Sequence, residues 1–388
     1  MSDNLKYTCL FGGGAMRGLA YIGTLRAFEE LNIHYDIIAG SSVGSVFAAL
    51  LACGYKSYEI ENLFLKVNFD LFRDIHFGIG KPFAISKGEI FENWLDDLLA
   101  KNTNKKNLKF KDLDTDLIII TTNLKTFTPQ EFSRFTTPDF EIAKAIRISS
   151  SMPGLFPPYK FKGGELVDGD LQKASPMWNL SKNIGNSQSR IIELRLEGKA
   201  HDKAKTQLDF INTIYSCVTD VASKFVTDIY GRNDRYDCIT LNTGSMFFAD
   251  FNLNKDLRRE LIELGYQQTM NYFTSILPAK KEKLIETYKQ ILKYLKNAQK
   301  GLKGNNVEEV QWWFGDIFEI LCEQKEIIDP LIYQELIQLN KNLKNAVGSF
   351  LLVYTTFKKK KELENEMNRL VERIESRLQS LQMYISSL

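Results

Sequence analysis

The chemistry most readily written into this chain is at Gly40-Ser41-Ser42-Val43-Gly44, a G-x-S-x-G spacing. A serine on a sharp strand-to-helix turn projects its hydroxyl from the carboxyl edge of a sheet, and glycines two before and two after remove side chains that would collide there. The helix starting behind it adds free N–H groups and the positive end of a dipole, which suits an anionic intermediate. A second such junction lies upstream at Gly12-Gly13-Gly14-Ala15-Met16-Arg17-Gly18. Backbone N–H groups in a glycine run can approach a ligand closely and hold a tetrahedral oxyanion, each donor being worth about 3 kcal/mol of barrier. The alternative, a nucleotide loop, fails on spacing. A dinucleotide fingerprint starting at Gly12 would need a glycine where Arg17 stands, and no Lys-Ser or Lys-Thr completes a phosphate loop.

A serine nucleophile needs a base, and the chain holds only three histidines, His34, His76 and His201. The first two precede the position a histidine base takes in the Ser, Asp/Glu, His order, and His201 sits in a charged stretch that reads as solvated loop. A carboxylate acting directly on the serine is the remaining choice. Asp168, in Glu165-Leu166-Val167-Asp168-Gly169-Asp170, follows a strand-like pair at a turn. An Asp-Gly dipeptide taken alone is more often a plain turn. An aspartate at its usual pKa of about 3.9 is a weak base, and burial beside an apolar cleft would raise it toward usefulness.

These elements sit in an α/β pattern. Near-continuous apolar runs at Tyr7 to Phe11, Asp36 to Ala39, Leu117 to Thr122, Ile191 to Leu196 and Tyr236 to Leu241 read as strands buried on both faces. Leu19, Ile22, Leu25, Phe28 and Leu31 space as a helix between the first two. From about residue 276 glycine thins out and Lys, Glu, Leu and Ile recur at helical periods, so the expected division is a domain over 1–275 and an all-helical domain over 276–388. Leu284, Tyr288, Ile291, Leu292 and Leu295 mark one amphipathic helix, and Val310, Phe314, Ile317, Phe318 and Leu321 another. Leu363, Met367, Leu370, Ile374, Leu378 and Leu381 approach the a/d repeat of a bundle seam.

Taken together, the glycine triplet with Arg17-Gly18, the Ser42 turn, and Asp168-Gly169 resemble the patatin-like phospholipase family, as does the run Ala145 to Pro158 ahead of the aspartate. The resemblance spans about residues 5–275, with four motifs in the family's order. It implies a three-layer α/β fold around a mostly parallel sheet and a Ser42-Asp168 dyad working without histidine. It also implies an oxyanion hole from Gly13 and Gly14, supported by Gly12, Arg17, Gly18, Gly40, Gly44 and Gly169. The implied reaction is acyl transfer from a lipid ester through an acyl-enzyme, with no metal and no cofactor. Two features differ from the family's usual pattern: one extra residue before Arg17, and Asp170 where glycine or alanine commonly follows Asp-Gly. A neutral-lipid lipase or general esterase on the same site stands as the nearer alternative. From another class comes a partner-binding protein whose helical region, 276–388, recruits or activates the hydrolase.

Composition narrows the partners. Fifty Lys+Arg against 48 Asp+Glu leave a formal charge of +2, so nothing global draws the chain to nucleic acid. Eight lysines against two glutamates between Ala279 and Lys303 offer a local patch for anionic lipid, or else the solvated side of a bundle helix. The five scattered cysteines lack a C-x-x-C pair and read as reduced, mostly buried thiols. Phe69, Phe72, Phe77, Phe83 and Phe91, among Gly78, Gly80 and Pro82, suggest either a cap over an acyl pocket or aromatic core under a loop. Trp312 and Trp313, adjacent on a helix, cannot both face one core, so one is a candidate partner contact. No apolar run approaches the ~20 residues of a membrane span, and no Sec signal precedes the first glycine cluster. The expected place is cytoplasmic or peripheral to a membrane, with export by a route lacking such a signal also open.

Overall fold

A computed structural model describes residues 6–73, 84, 86–172, 190–198, 210, 213–215, 217–219, 221, 236–244, 253–304, 306–324, 328–348 and 356–387. The chain divides into two compact units, the break falling between Met270 and Asn271.

The first unit is built on a sheet of eight strands: β1 (Lys6–Phe11), β2 (His34–Ser41), β3 (Asp116–Asn123), β4 (Thr128–Ser133), β5 (Tyr159–Phe161), β6 (Gly164–Val167), β7 (Arg190–Glu197) and β8 (Tyr236–Asn242). All five apolar runs form strands, and β3, β2, β1, β7 and β8 lie side by side in parallel. The three strands not read from the sequence form an antiparallel excursion: β4 and β6 both pair with β3, and β5 pairs with β6. Thr122 pairs with Pro129 of β4 and also with Val167 of β6, so those two strands occupy opposite edges of β3. The β2 ladder ends at Ser41 opposite Ile120. Strand β6 therefore continues the β2 edge just beyond its carboxyl end. This placement delivers whatever follows β6 to whatever follows β2.

Helices follow the strands: α1 (Ala20–Glu30), α2 (Val43–Ala52), α3 (Ser57–Phe64), α4 (Glu89–Thr103), α5 (Ile142–Ser149) and α6 (Lys255–Asn271). Helix α2 is apolar all round and buried from Gly44 to Leu51, as a helix inside the domain should be. Helices α1 and α6 touch backbone to backbone: a Cβ at Gly23 would collide with the Ile262 carbonyl, and one at Gly265 with that of Ala20. The buried Thr269 hydroxyl donates to that of Thr24 across the same contact, at 2.9 Å.

The second unit holds α7 (Leu277–Lys303), α8 (Val307–Glu323), α9 (Pro330–Gly348) and α10 (Thr356–Ser387). Its core gathers Leu284, Tyr288, Ile291 and Leu295 of α7 with Val310, Phe314, Ile317 and Leu321 of α8. All six seam residues of α10 are buried in it too. Phe318, expected on the core face of α8, is 44% exposed. It adjoins Ile317 in sequence, and one helical step of about 100° carries it off the stripe. Trp313 stacks on Tyr294 while Trp312 is 60% exposed, the split that adjacency demands. Of the α7 lysines all but Lys281 are exposed; Lys281 is buried beside the Tyr384 ring, and Lys296 pairs with Glu375. Among the described residues no helix is long and apolar enough to cross a membrane.

All five cysteines are free thiols, but the expectation that most are buried holds only for Cys9 and Cys53. Cys217 and Cys322 are exposed at helical positions turned to solvent, and Cys238 is intermediate.

Candidate active site

Ser42 lies between β2 and α2 with φ 49° and ψ −130°, a backbone conformation that residues with a Cβ rarely adopt. The turn is held from both sides. A Cβ at Gly40 would reach within 2.5 Å of the Gly44 carbonyl oxygen, and one at Gly44 would collide with the carbonyl of Phe11 and come within 2.6 Å of that of Gly12. Only hydrogen fits at these two places. The Ser42 N–H donates to Ser149 Oγ at 2.9 Å, and Ser149 donates onward to the Ile120 carbonyl at 2.6 Å. The end of α5, in the run Ala145 to Pro158, thus locks the serine's backbone to β3.

Asp168 follows β6 directly and is 1% exposed. Ser42 Oγ donates to its Oδ2 at 2.8 Å. Its other oxygen, Oδ1, accepts the Asp170 N–H at 2.9 Å and the Tyr215 hydroxyl at 2.7 Å, while its own N–H donates to the Ser151 carbonyl at 3.0 Å. Gly169 is required here, since a Cβ would collide with the Ile120 carbonyl and press on Ser41. Burial and then the neighbouring Asp170 push the Asp168 carboxyl up to about 7, against the pull of its three hydrogen-bond donors. A carboxyl titrating there can both take and return a proton near neutrality.

Asp170 does not simply face water. Its Oδ1 accepts from the Ser41 hydroxyl, and a Cβ at Gly13 would collide with the same carboxylate and lie 2.9 Å from Ser42 Cβ. Gly13 therefore lies directly against the serine. The Gly12 N–H is taken by the Leu194 carbonyl at 3.0 Å and the Gly14 carbonyl by the Arg17 N–H at 3.1 Å. The Tyr21 hydroxyl reaches the Gly12 carbonyl at 2.8 Å and anchors the loop to α1. Gly18 packs against Val43, where a Cβ would approach to 2.8 Å. Arg17 is buried, its guanidinium close against Gly198, and it does not line the cavity beside Ser42. His34, the one histidine among the described residues, stands exposed at the far end of β2; His76 and His201 fall outside them.

Ser42 and Asp168 open onto a cavity of about 110 Å³ lined by Met16, Val46, Phe64, Phe69, Phe72, Phe91, Trp94, Met152, Leu155 and Phe156, among others. The rings form one cluster: Trp94 lies 4.8 Å from Phe72 and 6.2 Å from Phe64, and Phe91 stacks on Phe156 at 6.0 Å. Phe69, Phe72 and Phe91 of the suspected cap are cavity walls, while Phe77 and Phe83 lie outside the described residues. Buried Arg147 ties the two sides of this wall, donating to the carbonyls of Lys87 at 2.8 Å and Pro157 at 3.2 Å.

Four participants escaped the sequence reading. Phe64 and Trp94 belong to helices whose periodicity reads as ordinary core. Arg147 lies within a recognised run but carries no spacing cue of its own. Tyr215, 47 residues beyond Asp168, has no local signal at all. The described residues contain no group of His, Cys, Asp and Glu arranged to hold a metal ion.

Comparison with known proteins bears on the family and the fold. Residues 10–179 match the patatin-like phospholipase family, which gives the chain a lipid-hydrolase domain in its N-terminal part. The protein YqhO of Bacillus subtilis is 27% identical over 288 residues, covering 67% of this chain and 95% of its own. Protein R571 of Acanthamoeba polyphaga mimivirus is 28% identical over 292 residues, covering 71% and 96% respectively. Among solved structures, VipD from Legionella pneumophila superposes with a TM-score of 0.52 at 15% identity, over 95% of this chain and 92% of that one, a likeness of fold.

Proposed function

We propose that this patatin-like hydrolase domain cleaves fatty-acyl esters of phospholipids or lysophospholipids at Ser42, with Asp168 as the base. The observation that carries the reading is the 2.8 Å hydrogen bond between a strained serine and a buried carboxylate at the wall of an aromatic cavity. Ser42 Oγ attacks the ester carbonyl carbon as its proton passes to Asp168 Oδ2. The oxyanion is received by N–H groups of Gly13 and Gly14 together with the dipole of α2. The bond to the leaving alcohol breaks, and Asp168 returns the proton to that alcohol, leaving an acyl-serine. Water then gives a proton to Asp168 and attacks the acyl carbon; Ser42 leaves with that proton and the fatty acid departs.

The described cavity lining contains no lysine or arginine. It recognises an acyl chain rather than a phosphate, which keeps a neutral-lipid lipase or esterase as the second reading. The exposed lysines of α7 are the candidate contact for an anionic lipid surface, and the helical unit is the candidate site for a protein activator. Fatty-acid release from phospholipid, lysophospholipid, triacylglycerol and short-chain ester, compared between the native chain and Ser42→Ala, tests the reading. Phospholipid turnover that vanishes in Ser42→Ala is expected; turnover that survives the substitution refutes the assignment.

A further inference from the structure

Asp168 accepts one more hydrogen bond than the reaction needs. Oδ2 faces Ser42, and the Asp170 N–H already holds Oδ1 from within the same turn. The Tyr215 hydroxyl adds a third bond, at 2.7 Å to Oδ1, from a segment distant in sequence. Residues 213–215 are helical, with Ile214 50% exposed and Tyr215 turned inward to the carboxylate. Burial and the two nearby carboxylates, Asp168 and Asp170, push the phenol far above its ordinary range, so it keeps its proton and can only donate.

The electrostatic surroundings give that donor a task. Among the described residues, the charged group facing Asp168 is Asp170, two residues on, whose carboxylate opposes ionisation of its neighbour. The β2–α2 turn presents the neutral Ser41 and Ser42, and the end of α5 the neutral Ser149 and the Ser151 carbonyl. A hydrogen bond from a neutral donor to an ionised carboxylate favours the charged form. It also restrains the carboxyl rotation that would turn Oδ2 away from the serine.

We propose that Tyr215 is a positioning residue for the dyad: its phenol fixes Oδ1 of Asp168 so that Oδ2 faces Ser42, and it keeps that carboxylate ionised against the charge of Asp170. The inference rests on the reading of Ser42 and Asp168 as nucleophile and base.

A fluorophosphonate probe reads the serine without requiring the natural lipid. Ser42 Oγ attacks phosphorus, fluoride leaves, and the serine proton passes to Asp168. The rate of labelling of the full chain is measured between about pH 5 and pH 9 for the native protein, Ser42→Ala, Tyr215→Phe, Asp170→Asn and the double variant, with melting temperatures as a control on folding. Native labelling should fall on the acid side through a midpoint near 7. Tyr215→Phe should move that midpoint up by about one pH unit, with labelling at about pH 6 reduced roughly tenfold. Asp170→Asn should move it down, and the double variant should return toward the native midpoint. A merely structural phenol would lower labelling by one factor at every pH, with no recovery in the double variant. That result, or an unshifted native profile in Tyr215→Phe, overturns the proposal. Labelling that persists in Ser42→Ala instead overturns the dyad beneath it, so the two failures are told apart by separate arms.

Discussion

The strain at Ser42 can be measured by removing the hydroxyl in two ways. Ser42→Ala and Ser42→Gly both lose the bond to Asp168 and both should be inactive, so they differ only in the Cβ carried at φ 49° and ψ −130°. A side chain in so sparsely populated a conformation costs about 1–3 kcal/mol, which glycine avoids. Glycine in turn gives up about 0.5–1 kcal/mol through the greater freedom of its unfolded chain. The balance leaves Ser42→Gly more stable than Ser42→Ala by about 1 kcal/mol, or a melting point higher by roughly 2–4 °C for a domain of this size. Urea and thermal unfolding of the two variants, followed by circular dichroism and by the fluorescence of the chain's four tryptophans, provide the assay. If Ser42→Ala matches or exceeds Ser42→Gly, the turn is not strained and the account of how it projects the hydroxyl is wrong.

Two further outcomes follow from the same site. Because the Asp168 carboxyl titrates near 7 when folded and near 3.8 when free, the unfolded chain releases its proton first as pH rises. The fold should lose stability across that window and level off above it. Asp168→Asn cannot ionise, so its melting temperature should gain on the native protein from about pH 4 to pH 7 and hold a constant difference beyond; a difference independent of pH would contradict the buried, proton-holding carboxyl. Trp94 lies among Phe64, Phe72 and Phe91 in the cavity wall, so Trp94→Leu should shift turnover in a p-nitrophenyl ester series toward longer acyl chains. An unchanged chain-length profile would mean that acyl chains bind elsewhere.

The features legible along the chain are those whose cause is local. The Ser42 turn is marked by glycines because backbone atoms crowd Gly40 and Gly44 within a few residues or across one strand pair. The parallel strands announce themselves because burial on both faces demands an unbroken apolar run, and the α10 seam because one helix repeats one contact. Where a local pattern admitted two outcomes, packing chose. Lys281 reads like its lysine neighbours yet is buried, and Phe318 reads as core yet faces out, since position around a helix is settled by what packs against it.

Amino-acid order alone determined the candidate nucleophile, the glycine loop beside it, the absence of a suitably placed histidine, and an α/β region followed by a helical one. Tertiary structure alone decided that β6 takes the β2 edge of β3, which brings Asp168 to a serine 126 residues earlier. It also decided that Asp170 turns its charge inward and that Tyr215 answers it. The physical reason is distance along the chain. A hydrogen bond between remote residues depends on which strand edges and helix faces meet, and no spacing within either segment records that choice.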